Sequence, residues 1–169
     1  ASALQAFAYF RNSYPSSALV PDAMLETAAA QVASGHSGAA VSTYTELIEN
    51  YPRTSQGRQA YIQKAMTLLE GGRREDAIEA YKQVVRRYPS SREAEQASSL
   101  LRAILADQNR GAEYVAFMNS VDGMQLTDRA EAATLEFGTA RHKLQSNGDT
   151  SAMEAFLAAY PDSPEAEEG

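Results

Sequence analysis

The chain has 169 residues, 44% of them hydrophobic, with no cysteine or tryptophan and a formal net charge of −7 from 15 basic and 22 acidic residues. Its size fits one ordinary domain or a short solenoid, and the missing cysteines exclude disulfides, thiolate metal sites and cysteine nucleophiles. The acidic balance disfavours nucleic acid and acidic membrane surfaces, which need clustered Lys and Arg, and no apolar run approaches the ~20 residues of a spanning helix.

Abundant alanine, few prolines and short apolar runs broken by charges predict an all-α chain. Residues 2–14 form the first expected helix, with Leu4, Phe7 and Phe10 on one face and Pro15 as its stop. The opening residues Ala1–Phe7 lack the basic start of a secretory signal. A second helix is expected from Pro21 to about Ser34, ended by Gly35, and a third over 38–51, with Val41, Tyr44 and Leu47 inward and Pro52 closing it. The same alternation follows: Arg58 to about Glu70 before Gly71-Gly72, then 75–88 with Ile78, Tyr81 and Val84 inward, closed by Pro89.

Beyond Pro89, Ser90-Ser91-Arg92-Glu93 offers a capping box for the next helix. Its closing partner is degenerate: Tyr114, Phe117 and Val121 take the inward places, Met124-Gln125 replaces Tyr-Pro, and Asp122-Gly123 is the expected exit. Thr127-Asp128 caps a helix expected from Ala130 to about Ser146 before Asn147-Gly148. The run Ala152–Tyr160 then forms a closing helix about one turn short, and Ser163-Pro164-Glu165 starts another helix.

These elements repeat. Tyr-Pro stands at Tyr14-Pro15, Tyr51-Pro52, Tyr88-Pro89 and Tyr160-Pro161, with steps of 37, 37 and 72, a period of the kind that marks helical repeat arrays. The unit is a helix A, a Gly turn, a helix B and Tyr-Pro. The expected limits are 18–52, 55–89, 91–125 and 127–161, with a lone helix B at 2–14 and the start of a further unit at 163–169. Both ends cut a unit open, so the chain reads as a segment of a longer array; the alternative is that these ends are natural frayed caps.

In its order of large, small, alanine, aromatic and closing proline residues, the pattern resembles the tetratricopeptide repeat. Tyr61, Ala65, Leu68, Ala77, Tyr81 and Pro89 match most fully; Met24, Ala28, Ala40, Tyr44 and Pro52 form a second copy, and Ala133, Phe137, Ala140 and Pro161 a weaker third. The resemblance covers nearly the whole chain. It implies a right-handed α-solenoid of antiparallel helix pairs, whose concave face, lined by the A helices, binds extended or helical peptides. The unit of 36–37 residues, longer than the usual 34 or so, resembles repeats of bacterial cell-envelope proteins, including long arrays of Bacteroidota, and implies a periplasmic or envelope location.

The same resemblance implies groove positions at Leu25, Ala29 and Val32, at Ile62, Met66 and Leu69, at Ser98, Arg102 and Leu105, and at Thr134, Gly138 and Arg141. The N-terminal half of that set is apolar and suits a hydrophobic or amphipathic segment, with Met66 adapting its shape. The competing structural role of Leu25, Ile62 and Leu69 is core packing. Arg102 and Arg141 can fork onto a partner's carboxylates or pair with Glu95 or Glu131. The Lys and Asn positions by which some family members hold a C-terminal carboxylate carry neither residue here.

No catalytic residue, cofactor site or metal site is expected. His36 lies in a Gly-rich turn and His142 late in a helix, and the stretch Asp107-Gln108-Asn109-Arg110-Gly111 lacks the Gly placement and closing Glu of a calcium loop. The mixed charges of 70–93 describe a wet helix face. The expected function is a non-enzymatic scaffold that binds a peptide or helix of a partner protein; the alternative is a structural spacer or self-association module working through the cut repeat ends.

Overall fold

The computed structural model describes residues 3–122 and 128–167. Among them the protein is all helical: α1 (Ala3–Ser13), α2 (Val20–Ala33), α3 (Ser37–Asn50), α4 (Ser55–Glu70), α5 (Arg74–Arg87), α6 (Arg92–Asp107), α7 (Gly111–Asn119), α8 (Arg129–Asn147) and α9 (Ser151–Ala159), then a 3-10 turn at Pro164–Glu167. Two compact units divide them. One holds α1 to α5 with the opening of α6; the other holds the rest of α6 with α7 to α9 and the 3-10 turn.

The turn inside each helix pair is built the same way three times. The backbone N–H of His36 donates to the carbonyl of Gln31, that of Arg73 to Leu68 and that of Arg110 to Leu105, at 2.8, 2.8 and 2.7 Å. Each bond spans a residue with positive φ: Gly35, Gly72 and Asn109. This geometry collects the orphan carbonyls at a helix end. It recurs at positions 35, 72 and 109, two equal steps of 37. Gly148 follows after a step of 39 and closes α8 by a single bond to Leu144. Asn109 does without glycine because its short polar side chain tolerates the left-handed conformation.

Tyr-Pro ends the second helix of a pair by backbone geometry. Tyr51, Tyr88 and Tyr160 leave the helix at φ −130, −136 and −129, while their N–H groups still donate to Leu47, Val84 and Phe156. A residue before proline is barred from helical dihedrals, so the helix stops one residue before the tyrosine. The closing helices thus run 37–50 and 74–87, one residue earlier than expected. α4 begins at Ser55, not Arg58, because Thr54 caps it: its Oγ1 accepts from the N–H of Gly57 at 3.0 Å. Gly57 is itself required, since a β-carbon there would collide with the Tyr51 carbonyl.

In the first unit short turns return each helix onto the last, and α2 packs on α3, α3 on α4, and α4 on α5. The contact surfaces combine large residues with alanines: Tyr44, Leu47, Tyr81 and Val84 are buried beside Ala28, Ala40, Ala60, Ala65 and Ala77. Alanine lets helices approach while the large aromatic and aliphatic side chains fill the space between them. Two ties reinforce the layers. Arg11 reaches Glu46 at 2.7 Å, and the Tyr88 hydroxyl donates to the Pro52 carbonyl at 2.6 Å, joining one Tyr-Pro to the preceding one.

The second unit packs α7 on α8 and α8 on α9 around Ala133, Phe137, Ala140, Met153 and Phe156. Phe137 and Phe156 meet with ring centroids 5.3 Å apart. α9 has nine residues, the length of the expected run 152–160 but one residue earlier, and α7 is equally short while α8 extends to nineteen. Tyr114, Phe117 and Val121 are all buried, although α7 ends at Asn119, before Val121. The expected exit at Gly123 and the Met124-Gln125 register lie outside the described residues, as does Thr127. Asp128 does cap α8, with Oδ1 accepting from the Ala130 N–H at 2.9 Å.

Candidate partner-binding face

α2 and α4, which open the two helix pairs of the first unit, touch each other as well as their own partners. Gln56 Nε2 donates to Asp22 Oδ1 across them at 2.7 Å. On these helices Leu25, Val32 and Leu69 are half-buried and Ala29 is exposed. Met66 is 36% exposed, whereas Ile62 keeps only 3% of its surface. Ile62 floors a recess of about 250 Å³ between α4 and the first turn of α6, walled by Gln59, Gln63, Arg92, Glu93 and Gln96.

A second recess of about 240 Å³ opens among α3, α4 and the start of α5 and holds Lys64. Partial burial lowers the pKa of this lysine. The acids on the wall are already engaged, Asp76 with Arg73 at 2.7 Å and Glu79 with Arg86 at 3.2 Å.

In the second unit Arg102 pairs with Glu131 at 2.5 Å, one of the two acidic neighbours anticipated for it. Arg141 instead lies over the Phe137 ring, 5.4 Å from its centroid. The Thr134 hydroxyl is 2.6 Å from Glu165, whose carboxyl that bond holds below the ordinary range. Gly138 is half-buried and Ser98 is buried. A recess of about 350 Å³ separates the start of α8 from the 3-10 turn, with Arg129, Tyr160 and Glu165 on its walls.

Leu105 corrects the expected set, because it is fully buried and belongs to the core. The turn bonds recur every 37 residues, so the positions one unit after Ile62, Met66 and Leu69 are Ser99, Ala103 and Ala106. Ser98, Arg102 and Leu105 each precede these by one residue, a rotation of about 100° on a helix of 3.6 residues per turn. Leu105 then corresponds to Leu68, also buried, and Arg102 to Ala28 and Ala65, both at 0% exposure. The third occurrence of that small position is therefore an arginine whose head reaches Glu131. The signal that locates it is the left-handed Asn109, which composition alone does not single out.

Among the described residues no group of three or more His, Asp or Glu side chains is placed to hold a metal ion. No helix among them is long and apolar enough to cross a membrane. His36 precedes α3 without capping it through its side chain, and His142 is exposed on α8.

No curated protein matches the chain. The family model described as "Tetratrico peptide repeat" matches residues 21–136, from the second residue of α2 into the middle of α8. That span is more than half of the 169 residues, and it contains the three turns in strict register: the chain belongs to the tetratricopeptide repeat family.

Proposed function

We propose that the protein is a scaffold whose A-helix face docks a segment of a partner protein. Repeats of this family generally mediate protein–protein interaction and are typically non-catalytic. The observation that carries the groove reading is the incompletely covered apolar row on α2 and α4. Leu25, Val32 and Leu69 are half-buried and Met66 is 36% exposed, beside neighbours such as Met24, Ala28 and Ala65 at 0–1%. A flexible thioether on such a row adapts to varied apolar side chains. We take the repeat limits as 18–52, 55–89, 91–125 and 127–161, with the docking face on α2 and α4 of the first unit.

The test is loss of an identified partner in the variant Ala29→Glu with Met66→Glu. Both sites are exposed enough to take a carboxylate without unfolding α2 or α4, which circular dichroism checks. Charging an apolar docking row is expected to weaken binding at least tenfold, about 1.4 kcal/mol; unchanged affinity on an intact fold refutes the groove. A second reading, self-association, draws on Tyr9, Tyr14 and Leu19, exposed by 70, 58 and 60% near α1. It expects a dimer in sedimentation equilibrium that Tyr9→Ser with Leu19→Ser dissociates, and a concentration-independent monomer ends it.

A further inference from the structure

The recess over Ile62 differs from the apolar row beside it in chemistry. Three carboxamides face it, Gln59, Gln63 and Gln96, and Arg92 stands at its edge. Among the described residues none of these four side chains makes a hydrogen bond or ion pair, whereas Glu93 on the same wall is engaged by Arg58 at 3.6 Å. With Glu93 offset by Arg58, the recess keeps one uncompensated positive charge in a chain of net charge −7. Each carboxamide offers one acceptor and two donors, the complement of a peptide unit. A guanidinium offers a fork that fits a carboxylate, and the volume of about 250 Å³ is that of one or two residues.

We propose that this recess takes an acidic residue within an extended stretch of the partner: the glutamines hold the peptide units on either side, Arg92 takes the side-chain carboxylate, and Ile62 packs against its methylenes. The proposal rests on the A-helix face being the docking face and names what one part of that face reads. Because the carboxylate is that of a side chain, the site does not require a chain terminus.

The test uses N-acetyl-glutamate N-methylamide, which has no free terminus, titrated into the whole protein and followed by NMR. The side-chain NH₂ signals of Gln59, Gln63 and Gln96 are expected to shift together and saturably, with the glutamine analogue and the Arg92→Gln variant each about tenfold weaker. Equal shifts with the glutamate, glutamine and lysine analogues, or undiminished binding in Arg92→Gln, overturn the proposal. So does an absence of shifts while Gln59, Gln63 and Gln96 remain resolved. Failure here is separable from failure of the groove. A partner lost on charging Ala29 and Met66 but indifferent to Arg92→Gln leaves the face in place and removes the acidic subsite.

Discussion

Tyr81 is fully buried, and among the described residues its hydroxyl has no hydrogen-bond partner. Burial, with a smaller contribution from the Glu70 charge, pushes its pKa up to about 12. The ring stabilises the first unit by filling the layer between helices, while the hydroxyl costs about 1–3 kcal/mol as an unmade bond. Tyr81→Phe keeps the ring and removes that cost, so stability in urea is expected to stay level or rise by up to about 2 kcal/mol. A loss above about 1 kcal/mol would mean that the hydroxyl has a partner after all. The pH dependence adds a second reading. A phenol with a raised folded pKa contributes stability that is full below about pH 10 and disappears as pH climbs toward 12, because the unfolded chain ionises first. Between those limits the decline with pH is expected to be shallower in Tyr81→Phe than in the unaltered chain; identical slopes would count against the buried, neutral phenol.

At the scale of helices and turns, proline and glycine carried most of what the sequence could tell. Tyr51-Pro52 and Tyr88-Pro89 placed two helix ends within one residue, since the residue before proline is barred from the helical region whatever surrounds it. Gly35, Gly72 and Gly148 gave the turns for a comparable reason, a positive φ that costs glycine little. Signals that depend on context were missed. Thr54 was not read as a cap, though it starts α4 three residues early, and Asn109 reached the left-handed region with no glycine to announce it. The short α7 escaped as well. The expected inward residues Tyr114, Phe117 and Val121 are buried, but Val121 lies beyond the helix end, and burial periodicity does not say where a helix stops. The site was less legible than the fold because groove and core positions on one helix differ by single residues. Counting units by 36 instead of 37 put Leu105 among groove residues when it is as fully buried as Leu101.

Across the whole chain, stability is distributed by neighbour relations. In the first unit α1 packs on α2, α2 on α3 and α4, α3 on α4, and α4 on α5; in the second α7 packs on α8 and α8 on α9. An array of this kind behaves as a sum of local units and nearest-neighbour interfaces, so damage at one end should spread no further than the next helices. Phe156 is the place to test this, being 2% exposed and in contact with both Phe137 and Tyr160. Phe156→Ala removes about 3–5 kcal/mol of ring burial, a large share of what nine residues of α9 and one face of α8 supply. Native-state hydrogen exchange is expected to show lost protection in α8 and α9 while α2 and α3 keep theirs, a graded response that local unfolding allows. Uniform loss from α2 to α9 would show one cooperative body. The apolar row on α2 and α4 would then rise and fall with the stability of the far end, and a partner's affinity would report Phe156→Ala even though no part of the partner touches α9.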